Sequence, residues 1–442
     1  MSKKQIWETR PLEFWAKAKE LRAGWQKSIE SKENVVGQGN TGPYCNWADA
    51  FPAITLIEDN PAGAMIQAKN EPYARKARLA CEIRGWGREI CGYQGNCWGG
   101  QFLGYIEDGS PWPERKMVVP MPCQCDQHTK RGQQARDFEN MPQWSADSPI
   151  YYGSYHEERD TPMAEHNVYC YLRVINDIER IFGQKFDDEE YIELLKADQE
   201  ARKYGAEVSR LMMTTVPAPL SSKDLFSVFT IGLQTKINPQ ATLDFWKMVR
   251  DEVKWRADNQ IAAVGNERFR WIESHPPSWH FMKYYRYMEE YGAVCLGSPY
   301  AHTGGDSEKL EIKPDGSLGP REDTSYPKDT PIKTREDAMR FSLGRDSRLL
   351  LSYKMDEYLR PHTIVEFATI CKADGALLPM WRHGVGCTLT RKEQGMRLKE
   401  AGFSVMHYEG SAPGDRIDLD EMRFLDQLDN WMHSLGYQKF DS

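Results

Sequence analysis

The sequence predicts an α/β protein with two parallel-sheet domains, a helical N-terminus and a helical middle segment. Three observations support this fold class. The chain has 442 residues, which is more than one compact core usually holds. Short apolar runs alternate with amphipathic stretches in the first and last parts of the chain, as is typical of βαβ units. In the middle segment, apolar residues recur at helical intervals.

The N-terminal helical segment is assigned to residues 1–36, and the first α/β domain to residues 37–164. A single apolar stripe predicts the N-terminal helix; its members are Leu12, Trp15, Ala18, Leu21 and Trp25. In the first domain, strands are predicted at 63–69, 116–121 and 148–155, and helices at 72–90 and 128–141.

The helical middle segment is assigned to residues 165–262. Its helices are predicted at 165–182, 187–212, 221–233 and 238–255. Asp187 is the expected N-cap of the second of these helices. Ser221 followed by Asp224 three residues later predicts a capping box.

The second α/β domain is assigned to residues 263–442. Strands are predicted at 268–274, 292–298, 375–380 and 403–409, and helices at 278–291, 361–372, 391–401 and 418–435. Gly292 and Gly402 are expected to end two of these helices. The alternation favours the doubly wound type, Rossmann- or flavodoxin-like, in both domains. The polar stretch 302–335 is rich in Gly and Pro and predicts a long loop or insertion.

Composition and charge exclude several classes of function. The formal net charge is −8 and no basic tract is present, so nucleic acid binding is not expected. No stretch approaches the roughly 20 apolar residues of a membrane span. The first residues lack the apolar core of a signal peptide, which predicts a cytoplasmic location. The glycines of 37–42 favour an ordinary turn over a dinucleotide site, because a poor helix start follows them.

Ten cysteines are present, which in a cytoplasmic protein favours metal binding or catalysis over disulfides. Cys170, Cys295 and Cys371 lie in helical or apolar patterns and are predicted to pack in the core. Five others lie in predicted turns or at the ends of apolar runs: Cys91, Cys97, Cys123, Cys125 and Cys387.

Loops at the ends of strands converge in doubly wound folds, so these five cysteines are candidate metal ligands. Thiolates suit zinc or an iron–sulfur cluster. Zinc is favoured by the compact set of Cys123, Cys125 and His128, whereas a redox pair is disfavoured because no CxxC is present. Spacing alone does not decide between a metal and core packing, and it does not choose the ligands.

Three stretches together resemble the 2-hydroxyacyl-CoA dehydratase and benzoyl-CoA reductase family. They are "GWGREICGY", "VVPMPCQCDQHTK" and "ADGALLPMWRHGVGCTLTRKEQGMRLKEAGFSVMHYEGSAPGD". Two further stretches, "PYCNWADAF" and "CWGGQFLGYIEDG", are most similar to B-type subunits of the ATP-dependent benzoyl-CoA reductases within that family.

The resemblance implies one [4Fe-4S] cluster held by Cys91, Cys125 and Cys387, with one iron that no cysteine ligates. Cys97 and Cys123 depart from the minimal family pattern and are secondary candidates. Arg382 and His383, beside Cys387, are weak candidates for proton donation or for tuning the cluster; solvation of the loop is an equal alternative.

The resemblance further implies an oxidoreductase subunit that reduces the aromatic ring of benzoyl-CoA to a cyclic diene in anaerobic degradation. The implied partners are a homologous cluster-bearing subunit, ATP-hydrolysing iron–sulfur activator subunits and ferredoxin as electron source. The chain has no GxxxxGK[ST] motif, so ATP hydrolysis is assigned to the activator. Two alternatives remain: a 2-hydroxyacyl-CoA dehydratase subunit with the same cluster, and a zinc-stabilised CoA-binding scaffold without a redox role.

Overall fold

The computed structural model describes most of the chain. The described residues are 6–30, 34–38, 50–58, 70–87, 90–112, 114–119, 126–142, 157–228, 231, 239–274, 282–298, 302, 310–315, 318–320, 331–341, 362–381, 391–410 and 420–440. Within these residues, no helix combines the length and the apolar character that crossing a membrane requires.

A three-stranded parallel sheet lies in the first part of the chain. Its strands are β1 (Asn34–Gln38), β2 (Ile54–Glu58) and β3 (Met117–Val119), in the spatial order β2, β1, β3. Val36 of β1 is paired with Leu56 on one side and with Met117 on the other. β3 confirms the strand predicted at 116–121 in shortened form, whereas the strands predicted at 63–69 and 148–155 lie outside the described residues.

Two expectations for the first part of the chain are wrong. Gly37 was expected in a turn, but it belongs to β1, where neighbouring strands on both sides pair with it. The helix predicted over 72–90 ends earlier, because the backbone at Gly85 has a φ of 85°, a conformation that favours glycine and stops a helix.

Four helices lie in the same part of the chain as this sheet. They are α1 (Phe14–Glu30), α2 (Glu71–Ile83), α3 (Gly92–Leu103) and α4 (Asp126–Glu139). α4 confirms the helix predicted at 128–141, and α1 confirms the N-terminal helix. The Glu252 carboxylate accepts hydrogen bonds from the backbone N–H groups of Glu13 and Phe14 at 3.0 and 3.1 Å, which caps α1.

The middle segment is helical, as predicted. Its helices are α5 (Glu157–Phe182), α6 (Asp188–Thr214), α7 (Ser222–Phe226) and α8 (Pro239–Asp258). Asp187 caps α6 by accepting from the Glu190 N–H at 2.9 Å. The capping box at Ser221 does not form: its hydroxyl donates to the Asp224 carboxylate at 2.7 Å and caps no backbone N–H.

A four-stranded parallel sheet forms the last part of the chain. Its strands are β4 (Phe269–Glu273), β5 (Ala293–Cys295), β8 (Gly375–Trp381) and β9 (Ser404–Gly410), in the spatial order β5, β4, β8, β9. The helices around it are α9 (Met282–Glu289), α11 (His362–Ile370), α12 (Arg391–Glu400) and α13 (Glu421–Ser434). These elements confirm the strands and helices predicted there, with small shifts in their ends.

The stretch 302–335, expected to be a long loop, contains local structure where it is described. β6 (Leu310–Ile312) and β7 (Leu318–Pro320) form an antiparallel pair, and α10 (Arg335–Met339) starts at its end. The Thr334 hydroxyl and the Asp337 carboxylate form a reciprocal capping box at this start.

Both faces of the four-stranded sheet are buried. Ile272, Val294 and Leu378 belong to one apolar cluster, which continues into α6, α7 and α8. Trp271 and Leu377 belong to the cluster on the other face, under α9 and α13. A parallel sheet that is buried on both faces is typical of α/β proteins, so the observed fold is α/β; the four predicted segment boundaries stay predictions.

Arg270 ties the four-stranded sheet to the helical middle segment. Its guanidinium donates to the backbone carbonyls of Met213 and Cys371 at 3.0 and 2.9 Å and to the Glu267 carboxylate at 2.7 Å. Arg270 is only 5% exposed. Such a charge is tolerated inside a protein when a counter-ion and several acceptors surround it.

Candidate functional site

An antiparallel hairpin of α2 and α3 positions the first of the cysteines that the sequence singles out. The Asn70 side chain accepts from the Tyr73 N–H at 3.1 Å and caps α2. The Tyr73 hydroxyl donates to the Tyr105 carbonyl at 2.6 Å, so the start of α2 lies beside the end of α3. The start of α3 therefore lies beside the end of α2.

Two glycines allow α2 and α3 to approach each other closely. A Cβ atom on Gly99 would lie 2.0 Å from the carbonyl oxygen of Ala77, and one on Gly95 would lie 1.6 Å from the Arg78 guanidinium. Gly95 and Gly99 are four residues apart and therefore lie on the same face of α3. This close packing explains why a glycine-rich stretch, which the sequence indicated as a turn, folds as a helix.

Cys91 is the N-cap residue of α3 and is only 6% exposed. Its side chain makes no capping hydrogen bond with the first turn. The amino end of a helix carries a partial positive charge and unpaired N–H groups, which stabilise an anion placed there. A thiolate at this position is thus favoured over one in the middle of a helix.

Cys97 lies inside α3 and not in a turn, which corrects the expectation from the sequence. Six residues along a helix rotate a side chain by about 120° from the starting direction, so Cys91 and Cys97 lie on different faces. The pKa of Tyr73 on α2 is raised mainly by burial, and further by the nearby Glu107, Tyr105 and Cys97. Cys97 is itself only 2% exposed.

Cys81 completes the cysteines of the hairpin. Its thiol donates to the Gly95 carbonyl at 3.1 Å, and burial raises its pKa to about 12. A thiol with such a pKa stays protonated near neutral pH, so Cys81 packs as a small apolar residue.

The helix α4 begins directly after the cysteine pair of the sequence. Cys123 and Cys125 lie outside the described residues, but β3 ends at Val119 and α4 begins at Asp126. They therefore belong to the segment that follows the carboxyl end of a parallel strand, the usual position of binding residues in α/β proteins. His128 lies in the first turn of α4, and its side chain is not described.

One partly buried carboxylate joins the last turns of α3 and α4. Glu139 accepts hydrogen bonds from the Gln101 amide, from the Trp112 indole at 3.2 Å and from the Arg115 guanidinium at 2.5 Å. The rings of Phe102 and Phe138 add an edge contact at 5.1 Å. These contacts hold the helix that carries Cys91 against the helix that follows Cys125.

Buried amides without hydrogen-bond partners accumulate on α3 and α4. Gln94 and Asn96 are at most 1% exposed. Within the described part of the chain, Oε1 of Gln94 and both polar atoms of Asn96 have no partner, and neither does the Gln134 amide. Native proteins rarely leave such groups unpaired, so an additional group is expected next to them.

The third predicted ligand follows a strand of the four-stranded sheet in the sequence. Arg382, His383 and Cys387 lie outside the described residues, between the end of β8 at Trp381 and the start of α12 at Arg391. The described residues contain no group of three His, Cys, Asp or Glu side chains that would hold a metal. The predicted ligand set therefore remains a prediction.

Cys295 and Cys371 lie in the core, as predicted. Both are at most 3% exposed, and burial raises the pKa of each thiol. Cys170 is partly exposed on α5, with its sulfur 3.6 Å from Nε2 of His166.

Two buried titratable residues of the second sheet were missed by the sequence analysis. Glu273 ends β4 and is bonded to the Tyr285 hydroxyl; burial raises its pKa to about 8. His302 is 2% exposed, and burial lowers its pKa to about 4. Its Nε2 lies 2.9 Å from the Leu296 carbonyl, which fixes Nε2 as the protonated nitrogen. A carboxylate directly after a buried strand was the available signal for Glu273.

Comparisons with known proteins identify a family. The model of the family described as 2-hydroxyglutaryl-CoA dehydratase, D-component, matches residues 71–323. The match includes Cys91, Cys97, Cys123 and Cys125, but not Cys387. The (R)-phenyllactyl-CoA dehydratase alpha subunit of Clostridium sporogenes is 23% identical over 231 residues, 51% of this chain and 54% of that protein. The chain thus spans about half the length of this relative.

Proposed function

Because the chain belongs to the 2-hydroxyglutaryl-CoA dehydratase D-component family, we propose that it is a subunit of an enzyme that acts on CoA thioesters. Specifically, we propose the iron–sulfur subunit of an ATP-dependent benzoyl-CoA reductase, which is an oxidoreductase. Its proposed reaction is the one-electron, stepwise reduction of the aromatic ring of benzoyl-CoA to a cyclic diene. The finer choice of a reductase rests on the sequence stretches quoted above.

The observation that carries the proposal is the position of Cys91. It is buried at the amino end of α3, in the unit where β3 leads to the segment with Cys125. Cys125 immediately precedes α4, and Cys387 precedes α12 by a few residues. Each proposed ligand therefore precedes a helix in the sequence, and at Cys91 the positive end of the helix dipole favours a thiolate.

The burial of Cys91, the one proposed ligand among the described residues, supports a cluster with thiolate ligands. A buried thiolate requires a positive partner, which a metal centre supplies. Oε1 of Gln94, without a partner among the described residues, lies one turn after Cys91 on the same face of α3, in a position to accept a hydrogen bond from a bound group. When bound, a [4Fe-4S] cluster with one iron free of cysteine would supply single electrons at low potential.

The chain's own residues would then have defined tasks. Cys91, Cys125 and Cys387 would hold the cluster, and Gln94 would contribute a hydrogen bond near it. Trp86 and Trp98, whose ring centroids are 4.5 Å apart, belong to the apolar cluster around Ile90 and exclude water beside Cys91. We further propose that Arg382 and His383 hold protons near Cys387. For the fold, we propose that both parallel sheets belong to doubly wound domains.

A 2-hydroxyacyl-CoA dehydratase subunit is the second candidate function. It is favoured by the relative from Clostridium sporogenes, which is described as a dehydratase subunit. The same cysteines would serve that reaction, in which water is eliminated and no net reduction occurs. A zinc-stabilised scaffold is the third candidate, and it requires no electron transfer.

The proposal includes partners. A homologous cluster-bearing subunit would complete the catalytic unit, and an ATP-hydrolysing iron–sulfur activator would deliver electrons from ferredoxin. This chain has no phosphate-binding GxxxxGK[ST] loop, which supports the assignment of ATP hydrolysis to another chain. ATPase activity in the purified isolated chain would contradict that assignment.

The decisive experiment compares two substrates with the anaerobically purified complex. With reduced ferredoxin, activator and ATP, benzoyl-CoA is expected to give a cyclic diene, and (R)-phenyllactyl-CoA is expected to remain unchanged. Elimination of water from (R)-phenyllactyl-CoA without any diene would replace the reductase by the dehydratase. Zinc in place of iron in the purified chain, with neither product, would favour the scaffold.

A further inference from the structure

The carboxyl end of β4 holds a buried acid that the proposed cluster does not use. β4 lies between β5 and β8 in the four-stranded sheet, and Glu273 is its last residue. In open parallel sheets, ligands bind beyond the carboxyl ends of the strands. Glu273 therefore lies at the edge of the sheet where a ligand is expected.

Only one oxygen of the Glu273 carboxyl group has a described partner. The Tyr285 hydroxyl on α9 donates to Oε2, and the Trp271 ring packs against the Tyr285 ring at 5.1 Å, which fixes its orientation. Glu273 is 5% exposed, and Oε1 is buried without a hydrogen-bond partner among the described residues. An unpaired buried oxygen is costly, so a partner from outside this part of the chain is expected.

The groups around Glu273 keep the acid neutral. Burial raises its pKa to about 8, and the Tyr285 hydrogen bond lowers it only in part. Among the described residues, the titratable groups that face the pair are Cys295 from β5 and Tyr408 from β9, and burial raises the pKa of Cys295. Glu273 itself adds to the raised pKa of Cys295, so no thiolate forms beside it near neutral pH.

We propose that Glu273 is a neutral carboxylic acid whose Oε1–H donates a hydrogen bond to an acceptor oxygen bound at the carboxyl end of the four-stranded sheet. Tyr285 occupies Oε2, which leaves the proton to Oε1. This inference rests on the proposed function, under which the acceptor is the thioester carbonyl oxygen of an acyl-CoA. Tyr285 acts as a positioning residue, because it holds the carboxyl group in one orientation.

A neutral donor suits this ligand. A thioester carbonyl is uncharged and accepts hydrogen bonds, and a neutral acid can donate to it without the desolvation of an ion pair. A preorganised donor also stabilises negative charge that develops on such an oxygen. Ionised Glu273 has no donor and would repel the same oxygen, so binding should weaken when the acid ionises.

The test measures the affinity of the complex for benzoyl-CoA between pH 6 and 9.5, without reductant. The affinity of the wild type for benzoyl-CoA should be constant below the Glu273 pKa of about 8. Above this pKa, the affinity should fall by up to about tenfold per pH unit. E273Q keeps a donor and should bind at every pH without this loss. E273L should bind about tenfold more weakly at pH 7, as expected for one lost hydrogen bond.

Two controls separate donation from a structural role. Coenzyme A without an acyl group lacks the carbonyl, so E273L should leave its affinity unchanged. Y285F removes the hydrogen bond that lowers the Glu273 pKa, so it should move the pH limit of benzoyl-CoA binding upward. Infrared spectra of the wild type at pH 7 should contain the carbonyl band of a buried protonated carboxyl group, which E273Q lacks.

The outcomes distinguish the inference from the proposed function. A complex that binds benzoyl-CoA equally well as wild type and as correctly folded E273L at pH 7 would overturn the inference, because the acid would then bond only a water. The inference would also be overturned if the affinity of the wild type for benzoyl-CoA did not fall above the Glu273 pKa, or if Y285F did not move this fall to higher pH. A wild-type complex that binds no CoA thioester at any pH would overturn the proposed function itself.

Discussion

The close packing of α2 against α3 can be tested by adding one methyl group to Gly99. The new Cβ atom would lie 2.0 Å from the carbonyl oxygen of Ala77 and 2.3 Å from its carbonyl carbon. Ordinary contact starts at 3.4 Å, so the two helices must separate by roughly 1.4 Å, since main-chain atoms cannot swing away. Overpacking of this kind costs about 1–3 kcal/mol and exceeds the helix propensity that alanine gains.

The assay is urea unfolding of G99A, followed by circular dichroism, with G104A as the matched control. Gly104 ends α3 with a φ of 77° and has nothing within 4 Å of its would-be Cβ, so G104A reports backbone strain without crowding, about 1 kcal/mol. G99A should unfold at a lower urea concentration than G104A. If G99A is as stable as the wild type, the inferred contact between α2 and α3 is wrong.

Two further predictions concern buried charges. E273Q should become more stable than the wild type as pH rises, because Glu273 has a folded pKa raised from 4.5 to about 8. The contribution of Glu273 to stability is complete below pH 4.5 and is lost as pH rises through the folded pKa, by roughly 5 kcal/mol at most. Parallel pH profiles of the urea midpoints of the wild type and E273Q would contradict this. R270M should destabilise the chain by about 3–5 kcal/mol, because Glu267 would keep a buried charge without its partner. R270M/E267Q should recover part of this loss, and an unchanged unfolding midpoint in R270M would refute the role given to Arg270.

The elements of the second sheet could be predicted closely because their signals are local. The strands β5 and β8 are continuous apolar runs, and Gly292 and Gly402 end helices with φ values of 71° and 93°, as glycine does most easily. Asp187 likewise carries its capping role in its side chain. Such features depend on neighbours in sequence, so they can be read without the fold.

The elements of the first sheet depended on distant contacts. Gly37 belongs to β1 only because β2 and β3 pair on either side of it. α3 forms although it is rich in glycine, because Gly95 and Gly99 permit close contact with α2. A single sequence records the glycines but not the helix that packs against them, so propensity alone indicated a turn.

The candidate site was predictable only in part for the same reason. The choice of Cys91 as a candidate ligand could be inferred from the family resemblance, whereas the burial of Glu273 arises from α9, β5 and β9. These elements are separated in sequence and meet only in the fold. The position of Cys97 inside α3 was also hidden, since the glycine-rich stretch indicated a turn.

Iron analysis of five anaerobically purified variants tests the central claim most directly. C91A, C125A and C387A are each expected to lose most of their iron, because each removes a proposed ligand of the cluster. C97A and C123A are expected to keep about four irons per chain, since Cys97 lies inside α3 and neither residue is assigned a ligand role. Retention of iron in C91A or C125A, together with its loss in C97A or C123A, would contradict the account.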